Sequence, residues 1–251
     1  MNDRPSSRHL LALAVVTLPV ALAACGRVPG QFEILNDQIP GAGCVIPVDP
    51  GVYQGEGTLD VSIVRPDFTS AYFFFPLIEN NLPSSIGTAI DPNEIQLSGF
   101  QIDITPIPGA MVPDGIRTVL NGAGTLAHFQ VPWSGGVSSG GGHLSAIVAA
   151  FPVELAQQMA QLGGLSRDPS TLVQLNISAL GTTNNGQHMT SDPFHFPLHL
   201  CSGCLVAGTA PCPFTTAPTF TGNDCNPAQD ALVDCCTENG NLVCPAPVAG
   251  Q

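Results

Sequence analysis

Gly136-Val137-Ser138-Ser139-Gly140 has the G-x-S-x-G spacing in which a strained turn lifts a serine towards an acyl carbonyl. That chemistry needs a helix after the serine, and here the chain continues Gly141-Gly142-His143. A glycine run is a poor helix start, so the stretch reads as a loop whose composition produces the pattern. Asp168 or Asp192 with His195 follow in triad order, which keeps a serine hydrolase using Ser138 as an alternative. His195, His199, Cys201 and Cys204 have ligand chemistry, but residues four apart on a strand are about 13 Å apart, too far for one zinc to take both histidines. Cys201-Ser202-Gly203-Cys204 has the spacing of a redox pair. Such a pair is activated at a helix N-terminus, and the Gly- and Pro-containing segment after Cys204 is no helix, so a structural bond is expected. Asp224, Asn226, Asp230, Asp234 and Glu238 offer oxygen donors suited to calcium, at spacings that do not match an EF-hand. They leave a calcium-dependent adhesin or sensor as a further alternative. No catalytic residue, resident metal or cofactor is assigned, and the chain is expected not to be an enzyme.

The N-terminus carries a stronger signal. Arg4 and Arg8 precede an apolar run from Leu10 to Leu22, broken only by Thr17 and Pro19. The run is shorter than the roughly 20 residues a bilayer span needs, and it suits the apolar region of a secretory signal. It ends in Leu22-Ala23-Ala24-Cys25. This closely resembles the lipobox of bacterial lipoproteins, over about the first 26 residues. The resemblance implies cleavage before Cys25, a diacylglyceryl thioether on its sulfur, and an acylated amino group carrying a chain such as palmitate. Several acyl chains, at about 0.8 kcal/mol per buried CH₂, give durable anchoring. Asp after the cysteine would favour inner-membrane retention in that family; Gly26 stands here, so the outer membrane is the expected location.

With Cys25 given to lipid, eight of the nine cysteines remain: Cys44, Cys201, Cys204, Cys212, Cys225, Cys235, Cys236 and Cys244. An even number in an oxidising envelope compartment reads as four disulfides. Seven lie between 201 and 244, so full pairing requires a bond from Cys44 into that cluster. Its partner there is not legible.

Composition narrows the partners. The chain has no lysine, and beyond the signal only Arg27, Arg65, Arg117 and Arg167 oppose every acidic residue but Asp3 of the 19 present. Such a chain will not hold a polyphosphate backbone by charge, which excludes nucleic acid. Missing lysine also excludes a P-loop and a Schiff-base amine. A membrane, through the anchor, and an envelope protein or glycan are the expected partners.

The elements that must position these groups are mostly strands. Leu59, Val61 and Ile63 alternate with polar residues, as do Val173, Leu175, Ile177 and Ala179. The apolar phase Ile95, Leu97, then Phe100, Ile102, Ile104 slips at Ser98-Gly99, which predicts a β-bulge. Asn184-Asn185-Gly186 predicts a hairpin leading to a strand over 194–200, with His195 and His199 on its solvent face. Pro152, the stripe Leu155, Met159 and Leu162, and Gly163 predict one short helix. Residues 124–131 read as a further strand, and Asn226-Pro227 as the start of a helical turn. The expected fold is all-β, an antiparallel β-sandwich, immunoglobulin-like in general architecture, with one short helix and a disulfide-rich C-terminal module. The expected organisation is a signal peptide at 1–24, a lipidated tether at 25–43, the sandwich at 44–200 and the cysteine-rich module at 201–251. Within the tether, Phe32, Ile34 and Leu35 can instead dock on the body.

Overall fold

The structure is a computed structural model, and it describes residues 30–85, 87, 90–168, 171–215 and 217–245. In chain order the strands and helices begin with β1 (Phe32–Gln38), β2 (Tyr53–Gln54), β3 (Gly57–Asp60), β4 (Tyr72–Phe74) and β5 (Pro76–Asn80). They continue with β6 (Ile95–Pro106), α1 (Asp114–Gly122), β7 (His128–Val137), β8 (Gly142–Ser145), β9 (Val148–Phe151) and α2 (Val153–Leu162). The rest are β10 (Thr171–Thr183), β11 (His188–Thr190), β12 (Phe194–Cys201), β13 (Val206–Pro211), β14 (Val233–Glu238) and β15 (Asn241–Val243).

The largest sheet runs β3-β12-β10-β6-β7, with β11 also paired to β10. A second runs β2-β1-β5-β8, while β13-β14-β15 and β4-β9 form smaller ones. The inward residues Val173, Leu175, Ile177 and Ala179 of β10 are fully buried, as alternation requires. Phe100, Ile102 and Ile104 of β6 lie beside them in the same core. Tyr72-Phe73-Phe74-Phe75-Pro76-Leu77-Ile78 is one apolar run in sequence but two strands in space. It leaves β9 and joins β1 and β8 across Phe75. Pro76, with no N–H to give a ladder, sits where the chain changes sheets.

The expected antiparallel sandwich with a single helix is corrected. The fold is mostly β, 44% strand, with two sheets curled as half-barrels. β3 joins β12 in parallel, with Leu59 opposite Leu200 and Asp60 opposite Cys201, and β13 joins β14 in parallel. Alternation reports which side chains face the core; it does not report which strand lies alongside or in which direction it runs. A second helix, α1, packs Ile116 and Leu120 inward and lays Gly115 against Leu162 of α2. Its glycines and β-branched residues lower its intrinsic propensity, so tertiary packing holds it.

The predicted bulge is present: the β6–β7 register shifts between Leu97 and Gly99, where φ is +153°. Gly99 lies so close to the Val131 carbonyl that a Cβ would clash with it. Residues 124–126 are a 3-10 turn, and the strand expected there starts at His128. A single turn forms at Asn226-Pro227: Gln229 N donates to the Asn226 carbonyl at 3.1 Å and Ala228 N to Asn226 Oδ1 at 3.0 Å. The Asn226 amide nitrogen donates to the Ser70 and Ala71 carbonyls at 3.2 and 2.8 Å, which ties this turn to the chain before β4.

Disulfide bonding is present: Cys44–Cys225, Cys201–Cys204, Cys212–Cys236 and Cys235–Cys244. The bonds are not confined to a C-terminal module, because the first spans 181 residues. Val206, Ala228, Val233, Cys235 and Cys244 belong to the same core as the large sheet. Upstream, the stretch after Cys25 is already strand at Phe32, with Phe32 and Ile34 buried and Leu35 half-buried.

Candidate functional site

β3 and β12 bring the first group together. Their register sets Asp60 opposite Cys201, and the chain then turns through Ser202-Gly203, with Gly203 at φ +83°. A carboxylate oxygen of Asp60 and the sulfurs of Cys201 and Cys204 all lie within 4.8 Å of one another. Asp60 and Cys201 are buried; Cys204 is half-buried. The carboxylate is held by backbone donors: Gly203 N and Ser62 N at Oδ1 (2.8 and 3.1 Å) and Leu205 N at Oδ2 (3.0 Å). Ser62 Oγ adds a donor at Oδ1 (2.7 Å). The Leu59 carbonyl oxygen is 3.6 Å from Cys201 Sγ.

This cluster corrects the expectation of a chain with no metal ligands, no cofactor site and no enzyme-like constellation. Thiolate sulfur with carboxylate oxygen is a donor set for zinc and similar ions. Sequence reading reached Cys201 and Cys204 but missed Asp60, which is 141 positions upstream of Cys201 and meets it only through the parallel pairing. With the Cys201–Cys204 bond closed, the sulfurs are shared with each other and are not thiolate donors.

A second group lies at the other end of β3. Gln54 Nε2 lies within hydrogen-bond distance of Asp37 Oδ2 (2.8 Å), the Tyr72 hydroxyl (3.1 Å) and Asp230 Oδ2 (3.2 Å). The Tyr72 hydroxyl donates to Asp230 Oδ2 at 3.0 Å, and Thr58 N donates to Oδ1 at 2.7 Å. Phe75 N donates to Asp37 Oδ1 at 2.6 Å. Asp37 and Tyr72 are fully buried. Asp230 has its backbone in the left-handed region, φ +61°, which an aspartate tolerates better than most residues.

Burial pushes the Asp37 carboxyl well above the ordinary carboxylate range, and the charge of Asp230 adds to this against the hydrogen bonds from Gln54 and Phe75. Burial also raises Asp230, against its hydrogen-bond donors, chiefly Thr58 N. Burial raises the Tyr72 phenol well above its usual value, with Asp230 and Asp37 contributing. A cavity of about 420 Å³ opens on this network, lined by Ile39, Gln54, Asn223, Asp224, Asp230 and Ala231 among others. Its carboxylates and carboxamides can accept and donate to hydroxyl groups. No spacing in the sequence announces Asp37, Gln54 or Tyr72, because they meet only when β1, β2 and β4 assemble.

The other sequence candidates stay apart. Ser138 follows β7 and His195 is in β12, with β6 and β10 between them. Three inter-strand spacings are about 14 Å, so that pair does not meet. Ser139, not Ser138, donates to the Asp91 carboxylate. His195 instead meets Asn176 Oδ1 at 2.6 Å, and His199 meets Glu56 at 3.2 Å. Two further histidines pair with acids, His128 with Asp103 (2.8 Å) and His143 with Glu79 (3.2 Å).

Four of the five oxygen donors of the C-terminal segment hold separate pieces of backbone, and the fifth, Glu238, is exposed at the end of β14. Asp224 accepts from Gly43 N at 2.6 Å, and Asp234 accepts from Thr219 N and Phe220 N at 2.7 and 3.0 Å. Asn226 serves Ser70 and Ala71, and Asp230 belongs to the network above. Among the described residues, Asp60, Cys201 and Cys204 are the one set of three such ligands that converges. Cys25 and residues 1–24 lie outside the described residues. No family model, no curated protein and no solved structure matches this chain.

Proposed function

We propose that this protein is a bacterial envelope lipoprotein, exported by residues 1–24 and anchored at the outer membrane through a diacylglyceryl and fatty-acyl group on Cys25. Its body is a binding element that offers the Asp230 cavity to an envelope glycan. Cysteine accounting carries the anchoring. Four disulfides use eight of the nine cysteines, and the ninth is the residue that ends the lipobox. A bond that ties Cys44 to Cys225 persists in an oxidising compartment, which supports export. The choice of glycan rests on the cavity lining, where Gln54, Asn223, Asp224 and Asp230 match neighbouring hydroxyls better than an apolar ligand.

Mass spectrometry of the protein extracted from membranes tests the anchor. The expected N-terminal peptide begins at Cys25 and carries diacylglyceryl and acyl mass. Cys25→Ser is expected to abolish both the lipid and the membrane fractionation. An unmodified Cys25 thiol on an uncleaved chain would overturn the proposal.

A further inference from the structure

We propose that the Cys201–Cys204 disulfide is a redox gate on a metal site, in which reduction frees two thiolates that hold a thiophilic divalent ion together with Asp60. This goes beyond the anchoring and glycan readings and depends on neither.

The site is already shaped without the S–S bond. Asp60 grips the turn through Gly203 N and Leu205 N, and Ser62 N and Oγ hold the same carboxylate. Opening the disulfide therefore leaves both sulfurs on a pinned backbone. Asp60 Oδ2 receives one of these four hydrogen bonds while Oδ1 receives three, so Oδ2 retains a lone pair to offer an ion. The Leu59 carbonyl oxygen, 3.6 Å from Cys201 Sγ, is placed to be a fourth donor. Two sulfurs and two oxygens suit a tetrahedral zinc-like ion.

The bond is also the one the fold needs least. It joins residues three apart, whereas Cys44–Cys225 spans 181 and the other two tie β14 to Cys212 and Cys244. A bond that closes so short a loop restrains the unfolded chain least. It is reachable as well. Cys204 is half-buried, and a cavity of about 340 Å³ lined by Arg167, Gly203, Val206 and Leu242 opens beside the turn. The Arg167 guanidinium, held by the Val206 carbonyl at 2.7 Å, brings positive charge to this wall, which favours thiolates nearby.

The reductant is a dithiol. One of its thiolates attacks Cys204 Sγ, the S–S bond breaks, and Cys201 leaves as thiolate; the second thiol of the reductant then displaces Cys204 from the mixed disulfide. Two electrons pass to the protein, the reductant becomes a disulfide, and its two protons end on Cys201 and Cys204. The divalent ion then displaces both protons to solvent.

The test uses the full mature protein in detergent, reduced stepwise by a phosphine, desalted without oxygen, and titrated with cobalt(II). Alkylation and peptide mapping identify which cysteines have opened. Cys201 and Cys204 are expected to open first, and thiolate-to-cobalt charge-transfer absorption is expected to appear with them at one ion per chain. The oxidised protein and a Cys201→Ser/Cys204→Ser variant are expected to show none. Asp60→Asn is expected to weaken cobalt binding at least tenfold, with circular dichroism confirming that the variant is folded. If Asp60→Asn is unfolded, a Ser62→Ala variant, which frees an acceptor position on Asp60, is expected to retain the absorption. The proposal is overturned if Cys201 and Cys204 open without the absorption, if other disulfides open first, or if the double serine variant gives the same spectrum.

Discussion

Cutting the Cys44–Cys225 bond should cost this fold more than cutting any other. The bond spans 181 residues, and in the chain-entropy treatment a loop of that size restrains the unfolded chain by about 5 kcal/mol at 25 °C. The Cys201–Cys204 bond, at a separation of 3, is worth about 2 kcal/mol by the same relation. Domains of this size are stable by about 5–15 kcal/mol, so losing the longer bond removes a third or more of the total. Cys44→Ala/Cys225→Ala and Cys201→Ala/Cys204→Ala are compared by urea unfolding followed by tryptophan fluorescence. With a slope near 3 kcal/mol per molar urea, the first variant should shift the midpoint down by about 1.5–2 M and the second by less than about 1 M. Equal shifts would refute the reasoning. They would mean either that the long loop is already compact when unfolded, or that the Gly43 N–Asp224 contact and its neighbours hold the segment without the bond.

The Asp37–Asp230 network gives a pH signature. Folded Asp37 and Asp230 bind protons more tightly than in the unfolded chain, where the value is near 3.8, so their contribution is full below that pH and is lost as pH rises through the folded values. Asp37→Asn should therefore flatten the fall in stability above pH 3.8, read as melting temperature against pH; an unchanged slope counts against the assignment. Tyr72→Phe removes the hydroxyl shared by Asp230 and Gln54 and should cost about 1–2 kcal/mol in urea unfolding. Gly99→Ala must take φ +153° against the Val131 carbonyl, and should cost about 1–3 kcal/mol by the same measurement.

Local structure was legible where a single rule dominates. Alternation in β10 marked Val173, Leu175, Ile177 and Ala179 as core because burial has a period of two there. Ser98-Gly99 gave the bulge because a slipped apolar phase has few other causes. Pro152 and Gly163 bracketed α2 for similar local reasons. Long-range partnership was not legible. Nothing near Asp60 says that β3 will lie parallel to β12, and the ligand character of that aspartate follows only from this pairing. The polar network was hidden for the same reason: Asp37, Gln54, Tyr72 and Asp230 are ordinary residues until four distant segments meet. Helix α1 was missed because Gly115, Thr118 and Gly122 are weak helix formers, and its stability comes from what Ile116 and Leu120 touch.

Gly30 is already fastened to the body, its carbonyl accepting from the Asn81 side chain at 2.9 Å. Only five residue steps separate it from Cys25, at most about 17 Å of chain. On the proposed anchor, the protein would ride low on the lipid surface rather than sway above it. The Asn81–Leu82 corner and the Gly140–Gly141 turn bonded to it would rest near the headgroups. The polar mouth between Gln54 and Asp230, beyond the opposite end of β1, would face the open space where a sugar polymer could thread past.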